Sequence, residues 1–543
     1  MKRKDIRNIV KLAIDNIIVE GCTDVSTFGR PFELNLLKND ETKNKIIEEV
    51  VSAIDSILNS NSSFETLKIN KISHMLVPKK TFYDFRKCAL INIVDEIKYL
   101  SLVLLIANKI EKKRVSDKIA FSYRYKPDKK GRLFNKNYNY SSFKSEYKRI
   151  SSMKKYKIIV ECDISNFYDR LNLHRLNSTL LSIDDIDIKI SQVLDELLLF
   201  WANRDSYGLP VGSNASRILA EAFLIEIDNY LFSNNIRFCR FVDDYRFFAS
   251  DVGEANKILS IFVEVLNKHG LSINANKTKM RDIKDYHNDS SKKKVVNKSG
   301  IAEIIRGYSG IVPTKFRKLS KSEIEKLKNE DEDEIIEKLK YDSIIEPEAI
   351  IKSIKILISK EKYNNLIVFP EILKKYPQFV PCFSDVIFKC KDNITDKIYK
   401  DILEKFGEWL DDNNTPEYIL ISIVKMFNTK NFEEKRKLFD FFKNLKRNSG
   451  IYVARTVLEQ IGYNLSRGEI LELKDYYLRS DCWEKRQIVN MVLNGLNYPE
   501  NRPFIKDLKI NCNDYFILDM IKNYEKKNRK KWLNVYTNLY KKF

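Results

Sequence analysis

Three acids and a lysine define the chemistry this chain can attempt. Asp163 ends an apolar run in YKIIVECDISNFYDRL (Tyr156 to Leu171), Asp243 and Asp244 sit among aromatic residues in RFVDDYRFF, and Lys277 follows in HGLSINANKTKM (His269 to Met280). A carboxylate at the end of a buried strand is costly unless something compensates it. A divalent cation would do so; an Asp capping the following helix is the alternative. The Asp-Asp pair is no signal in itself, because it recurs at Asp184-Asp185 and Asp411-Asp412. Its setting is more informative. Two short aromatic-rich runs that meet at Val242-Asp243-Asp244 are how a β-hairpin with an acidic tip is written. Between the acids lies GLPVGSNASRILAEAFL (Gly208 to Leu224). A glycine-rich entry of this kind lets backbone approach a ligand and points helix N-terminal amides outward, or it serves only as a turn and a cap.

The elements that must position these residues fall into three stretches. Residues 1–150 are mainly helical, with a long amphipathic helix predicted over Leu90 to Lys113 and then a basic, aromatic segment, FSYRYKPDKKGRLFNKNYNY. That segment either stacks bases and binds phosphates or is a solvated loop. In residues 151–310, β-rich runs alternate with helix patterns at Ala215 to Leu231 and Glu254 to His269, which predicts an α+β layer with helices behind a sheet. The turn after His269 should lead into a short strand and then the lysines. Residues 311–543 read as amphipathic helices in series: Glu323 to Lys340 behind a Ser320/Glu323 capping box, then Pro347 to Lys360, Ile394 to Leu410, Pro416 to Met426, Phe432 to Leu445, Ile451 to Ile461 and Trp483 to Leu496. Helix pairs of this length stack into an α-solenoid, with an irregular bundle as the alternative.

At 543 residues the chain is long for one core. Its net charge of +21 favours a polyanionic partner, nucleic acid or an acidic membrane surface, although the Lys, Asn and Ile bias of AT-rich coding contributes to the excess. Eight scattered cysteines without a C-x-x-C pair predict a reduced, cytoplasmic protein without structural zinc. The amphipathic start is a poor signal peptide, and no apolar run approaches the roughly 20 residues of a membrane span.

In order and spacing these motifs resemble the palm of reverse transcriptases. Asp163 sits at the family's first metal-binding aspartate; Gly208-Leu209-Pro210 with Gly212-Ser213 resembles G-L-P-x-G-S; Phe241-Val242-Asp243-Asp244 is similar to Y-x-D-D; Gly270-Leu271 with Asn274, Lys277 and Thr278 resembles G-L-x-x-N-x-x-K-T. Upstream, Val77-Pro78-Lys79-Lys80 with Arg86, and Phe121-Ser122-Tyr123-Arg124, resemble the fingers motifs. The resemblance covers roughly Leu76 to Lys279.

It implies an α+β right-hand polymerase, with fingers and palm, followed by an all-α, HEAT-like helical-repeat domain. It also implies RNA-directed or template-independent dNTP addition supported by two Mg2+ ions, with Mn2+ as a substitute, which lower the pKa of the attacking 3′-hydroxyl and neutralise the leaving pyrophosphate. Asp163 and Asp243 would be the main ligands, with Asp244 beside them. Lys80, Arg86 and Lys277 would meet phosphates, Gly212 template and nucleotide, and Tyr168 the sugar, where it would exclude a 2′-hydroxyl; packing is the alternative role for Tyr168. Phe241 and Val211 replace the usual Tyr and Gln.

The V-D-D-Y-R-F hairpin with a long helical C-terminal region resembles bacterial abortive-infection (Abi) and unknown-group reverse transcriptases of anti-phage defence. Relatives there form homo-oligomers, prime on a protein hydroxyl or copy a non-coding RNA. Three other readings compete: a retron-like enzyme with a bound non-coding RNA, a helical scaffold with a relic palm, and ribonuclease chemistry at the Arg281 and His287 spacing.

Overall fold

The computed structural model describes residues 2–60, 62–79, 84–286, 319–341, 347–428, 430–445, 451–462 and 464–526. Lys80 and His287 lie outside them. The chain forms two compact units, one of residues 1–24, 37–74 and 87–296, the other of residues 25–36, 75–86 and 297–543.

The first unit is built on a four-stranded antiparallel sheet: β1 (Ile158–Asp163), β2 (Phe238–Phe241), β3 (Asp244–Ala249) and β4 (Lys279–Asp282), in the order β2-β3-β1-β4. β-branched and aromatic residues recur in β1, β2 and β3, as a buried pleated surface requires. The register pairs Asp163 with Asp244, Glu161 with Arg246 and Ile159 with Phe248. With a side-chain period of two, one face carries Ile159, Phe248 and Cys239 into a core with Phe143 and Tyr147. The other carries Tyr245 and Phe247 against Phe262, with ring centroids 4.7 and 4.9 Å away. Tyr140–Ser151 (helix α4 below) supplies Phe143 and Tyr147, and Val252–Lys268 (α8) supplies Phe262, so the sheet is covered on both faces.

The longer helices of this unit are α1 (Arg3–Glu20), α2 (Asp40–Asn59), α3 (Ile93–Lys113), α4 (Tyr140–Ser151), α5 (Leu173–Leu181), α6 (Ile188–Trp201), α7 (Asn214–Ser233) and α8 (Val252–Lys268). α3 packs against α1 and α7 and is buried on most sides from Ile93 to Ala107, with Asp95, Glu96, Lys98 and Ser101 among its buried residues. Two departures from the sequence reading have local causes. The short strand expected after Gly270 is only a single bridge, Ile164 with Ile273, and the strand proper begins at Lys279. Leu271 to Thr278 turns instead, because Asn274 accepts from the backbone N–H groups of Lys277 and Thr278. The basic, aromatic segment splits along its length: Phe121, Tyr123, Arg124 and Tyr125 are buried, whereas Lys126, Lys129, Lys130, Lys136 and Tyr140 are exposed. Lys126 and Leu133 are bonded across this hairpin, and Asn16 Nδ2 donates to Gly131 O at 2.9 Å.

The described part of the second unit is helical beyond residue 319. Glu417–Val424, Ile451–Ile461, Cys482–Gly495 and Tyr515–Lys526 pack each on the next as one inner layer. Asp396–Asp411, Phe432–Asn444, Arg467–Tyr476 and Tyr498–Asn511 each pack on the inner helix that follows. Of the inner helices Glu417–Val424 and Cys482–Gly495 are buried almost all round, whereas the outer helix Asp396–Asp411 is amphipathic. The Ser320/Glu323 capping box is formed. The single helix expected over Glu323 to Lys340 is instead two, Lys321–Lys328 and Glu332–Tyr341, because Asp331 accepts from the Asp333 and Glu334 backbones and restarts the helix. Among the described residues no helix is long and apolar enough to cross a membrane.

Candidate active site

The candidate site sits where β1 ends and the β2-β3 turn begins. Phe241 and Asp244 pair across that turn, leaving Val242 and Asp243 as its two central residues. Ile164 N–H donates to Asp243 O at 3.1 Å, which ties the turn to the end of β1 beside Asp163. Asn274 N–H donates to Asp163 O at 2.7 Å, so the G-L-x-x-N segment is fastened to the same strand end. Three motifs spread over 111 residues thus meet through backbone bonds.

The side chains divide into two groups. Lys277 Nζ lies 2.8 Å from Asp163 Oδ2, and Asn274 Nδ2 is 3.4 Å from the same oxygen. Asp244 points along the sheet face to Arg246, which also pairs with Glu161 Oε1 at 3.2 Å and lies over the Phe143 and Tyr147 rings. Burial pushes the Asp244 carboxyl up to about 6; Arg246 opposes this, while Asp163 and Glu161 add to it. Asp244 is thus a buttressed acid that sequence reading grouped with the other two. Arg246 was legible in principle, since two residues further along a strand means the same face.

The GLPVGS segment joins this centre through its backbone. Leu209 N–H donates to Tyr168 O at 2.9 Å and Gly208 N–H to Leu171 O at 2.9 Å, so the loop lies along the turn that follows Asp163. Gly208 at φ +98° and Gly212 at φ +122° occupy conformations that side chains rarely adopt. Gly212 O accepts from Asp24 N–H, and Ser213 caps α7 through Ala215 N–H while donating to Glu96 Oε1 at 2.6 Å. Tyr168 is half-buried with its ring 5.6 Å from Phe167. Burial drives its phenol well above the ordinary range, with Tyr123 adding and Arg217 opposing. Arg217 went unremarked in the sequence; its guanidinium lies 5.3 Å over the Tyr123 ring and pairs with Asp24 at 2.6 Å. Arg86 belongs to the second unit, where its Nε is buried.

The donors at Asp163 and Asp243 are hard oxygens suited to Mg2+. Asp163 already presents one of its oxygens to a cation, the Lys277 ammonium. The acids therefore suit such an ion, although among the described residues no group of three or more His, Cys, Asp or Glu side chains is gathered as a ready-made cage.

Taken together, an antiparallel sheet carrying an acid at a strand end beside an acidic hairpin turn defines a nucleotidyltransferase-type centre. Residues 97–296 match the reverse transcriptase (RNA-dependent DNA polymerase) family, and the chain therefore carries a reverse transcriptase domain. Against the curated proteins no match is found. Among solved structures, telomerase from Candida albicans with the TWJ fragment of telomeric RNA is 12% identical, covering 72% of this chain and 66% of that one at a TM-score of 0.29. Apo telomerase from Candida tropicalis is 12% identical over 77% and 74% at 0.29. The chain spans just under two thirds of the first of these.

Proposed function

We propose that this chain is a DNA polymerase of the reverse transcriptase kind, adding dNTPs to a growing 3′-end. The observation that carries the reading is the convergence of Asp163, the Asp243 turn and Lys277 at one strand end. Asp163 and Asp243 would hold Mg2+ or Mn2+, which when bound activates the 3′-hydroxyl and offsets charge on the leaving pyrophosphate. Lys277 exchanges its carboxylate partner for a nucleotide phosphate. Asp244 is held back by Arg246 and shapes the field around the turn. Tyr168 lies under the sugar and rejects a 2′-hydroxyl; Gly208 and Gly212 let the loop backbone approach the base pair. Lys80 and Arg86 are the fingers' phosphate cations. Residues 1–150 form the N-terminal helices and fingers, 151–310 the palm and 311–543 a HEAT-like domain, a reading supported by the two-layer helix packing.

The hairpin sequence V-D-D-Y-R-F with this helical region supports an assignment to anti-phage defence, acting in the cytoplasm as a homo-oligomer. The partners are dNTPs and the DNA product, with synthesis either RNA-directed or template-independent; a protein hydroxyl as primer and a non-coding RNA as template are the two features that the following experiment separates. Purified protein incubated with labelled dNTPs and Mg2+ or Mn2+ tests the core of this. Asp163→Asn and Asp243→Asn should abolish incorporation with unchanged circular dichroism; undiminished incorporation would refute it. Product that leaves the phenol interface without protease treatment would refute protein priming, and sequencing co-purified nucleic acid tests for the template.

A further inference from the structure

The turn before Asp243 is held in an unfavourable shape. Val242 has φ +57°, a left-handed conformation that a β-branched residue rarely adopts. Both of its backbone groups are gripped: its N–H donates to Ser122 Oγ at 2.9 Å, and its carbonyl accepts from Arg240 Nη1 at 3.3 Å. Ser122 comes from a segment 120 residues earlier.

Behind these two residues lies a buried charge network. The Ser122 hydroxyl donates to Glu221 Oε1. Glu221 Oε2 pairs with Arg114 Nη2 at 2.5 Å and Arg240 Nη2 at 2.8 Å. Arg240 Nε meets both oxygens of Asp228, at 2.9 and 2.7 Å, and Tyr245 OH donates to Asp228 at 2.9 Å. Two cations balance two anions, with side chains only 0–2% exposed. Glu221 and Asp228 are seven residues apart on α7 and share one face. The network runs on through Arg114 to Glu111 at 2.8 Å and from there to Arg124 at 2.9 Å, and it is rigid at its buried core because any displacement there leaves a buried charge unpaired.

We propose that Ser122, backed by Glu221 and Arg240, is a positioning residue for the catalytic turn: it holds Val242 left-handed so that Asp243 is presented at the strand end beside Asp163. The inference rests on the polymerase reading. Ser122 hands the turn an acceptor whose own proton is committed to Glu221, so the Val242 N–H has a fixed partner. A purely structural serine would have no reason to end on the residue immediately before the acid.

The test is a double-mutant cycle in the full chain, with Ser122→Ala measured in the wild-type and in the Val242→Gly backgrounds. In the wild type, Ser122→Ala should lower kcat about tenfold with little change in dNTP KM. The Mg2+ activation curve should move to higher concentration. After Val242→Gly the same change should cost much less, because glycine adopts φ +57° without strain. Ser122→Thr, which keeps the hydroxyl, should restore the wild-type Mg2+ curve. Equal losses in both backgrounds, or an unmoved Mg2+ curve, would overturn the proposal. A readout independent of activity is hydrogen exchange of the Val242 amide, expected to quicken at least about tenfold in Ser122→Ala. If wild-type protein incorporates no nucleotide, the polymerase reading fails and this exchange rate alone decides the turn: unchanged protection refutes it.

Discussion

Lys277 should act on the site in two opposite ways, and the geometry sets how large each can be. Its ammonium lies 2.8 Å from Asp163 Oδ2, with the lysine side chain 62% exposed and the carboxylate 18% exposed. An ion pair so open to water is worth about 0.5–1 kcal/mol. A divalent cation approaching Asp163 must displace that ammonium, so wild-type affinity is lowered by the worth of the pair. Lys277→Met should therefore tighten Mn2+ binding to nucleotide-free protein by up to about fivefold, which is the same energy expressed as a ratio. Added salt should narrow the gap between the two proteins, because screening weakens the competing pair. In the polymerase assay the sign reverses: with the phosphate cation gone, KM for dNTP rises. Mn2+ titration by electron paramagnetic resonance, at low and high salt, reads the first effect directly. Affinity in Lys277→Met equal to or weaker than wild type would refute the competition and, with it, the role of this contact as the resting state of the site.

Other expected outcomes are briefer. Burial lifts Glu96 from the ordinary 4.5 to about 8, against the opposing Ser213 hydrogen bond and Arg217. The folded state thus keeps a proton that the unfolded chain releases, so the stability Glu96 contributes is full below pH 4.5 and falls, by at most about 1.4 kcal/mol per pH unit, as pH rises towards 8. Glu96→Gln should flatten urea-unfolding midpoints across that window; an unchanged slope would show that Glu96 is not the source. Tyr168→Ala should lower discrimination against ribonucleotides by about tenfold or more with dNTP incorporation retained, measured by competition between paired nucleotides; unaltered selectivity would make Tyr168 a packing residue. In the second unit, Arg455 holds the fully buried Glu33 through two contacts of 3.0 and 3.1 Å. Arg455→Met should cost that unit about 3–5 kcal/mol by stranding the carboxylate. Hydrogen exchange in Ile451–Ile461 should show it, and a smaller loss after Glu33→Gln with Arg455→Met would confirm the cause.

Much of the local structure was legible because its determinants are local. Period-two runs of β-branched and aromatic residues marked β1 and the β2-β3 hairpin, and caps and 3.6-residue periodicity marked Ile451–Ile461 to the residue and Pro347–Ser359 to within one. The short outer helix Arg467–Tyr476 was missed, since brevity weakens its amphipathic signal, and the inner helix Tyr515–Lys526 was missed although its sequence is amphipathic. The strand after Gly270 was misplaced because Asn274 spends its carbonyl on a turn.

The site divides along the same line. The resemblance to reverse transcriptase motifs singled out Asp163, Asp243, Asp244 and Lys277, each within a short motif; residue type by itself left a helix cap or an ordinary acidic turn as alternatives. Which carboxylate does what is decided only by tertiary contact: Asp163 meets Lys277, whereas Asp244 is drawn to Arg246 by register on a shared sheet face. Nor could sequence show that Ser122, Glu221 and Arg240 grip one turn, because bonds between residues 99 and 118 positions apart exist only once the core has closed over them and low dielectric has made each unpaired charge costly.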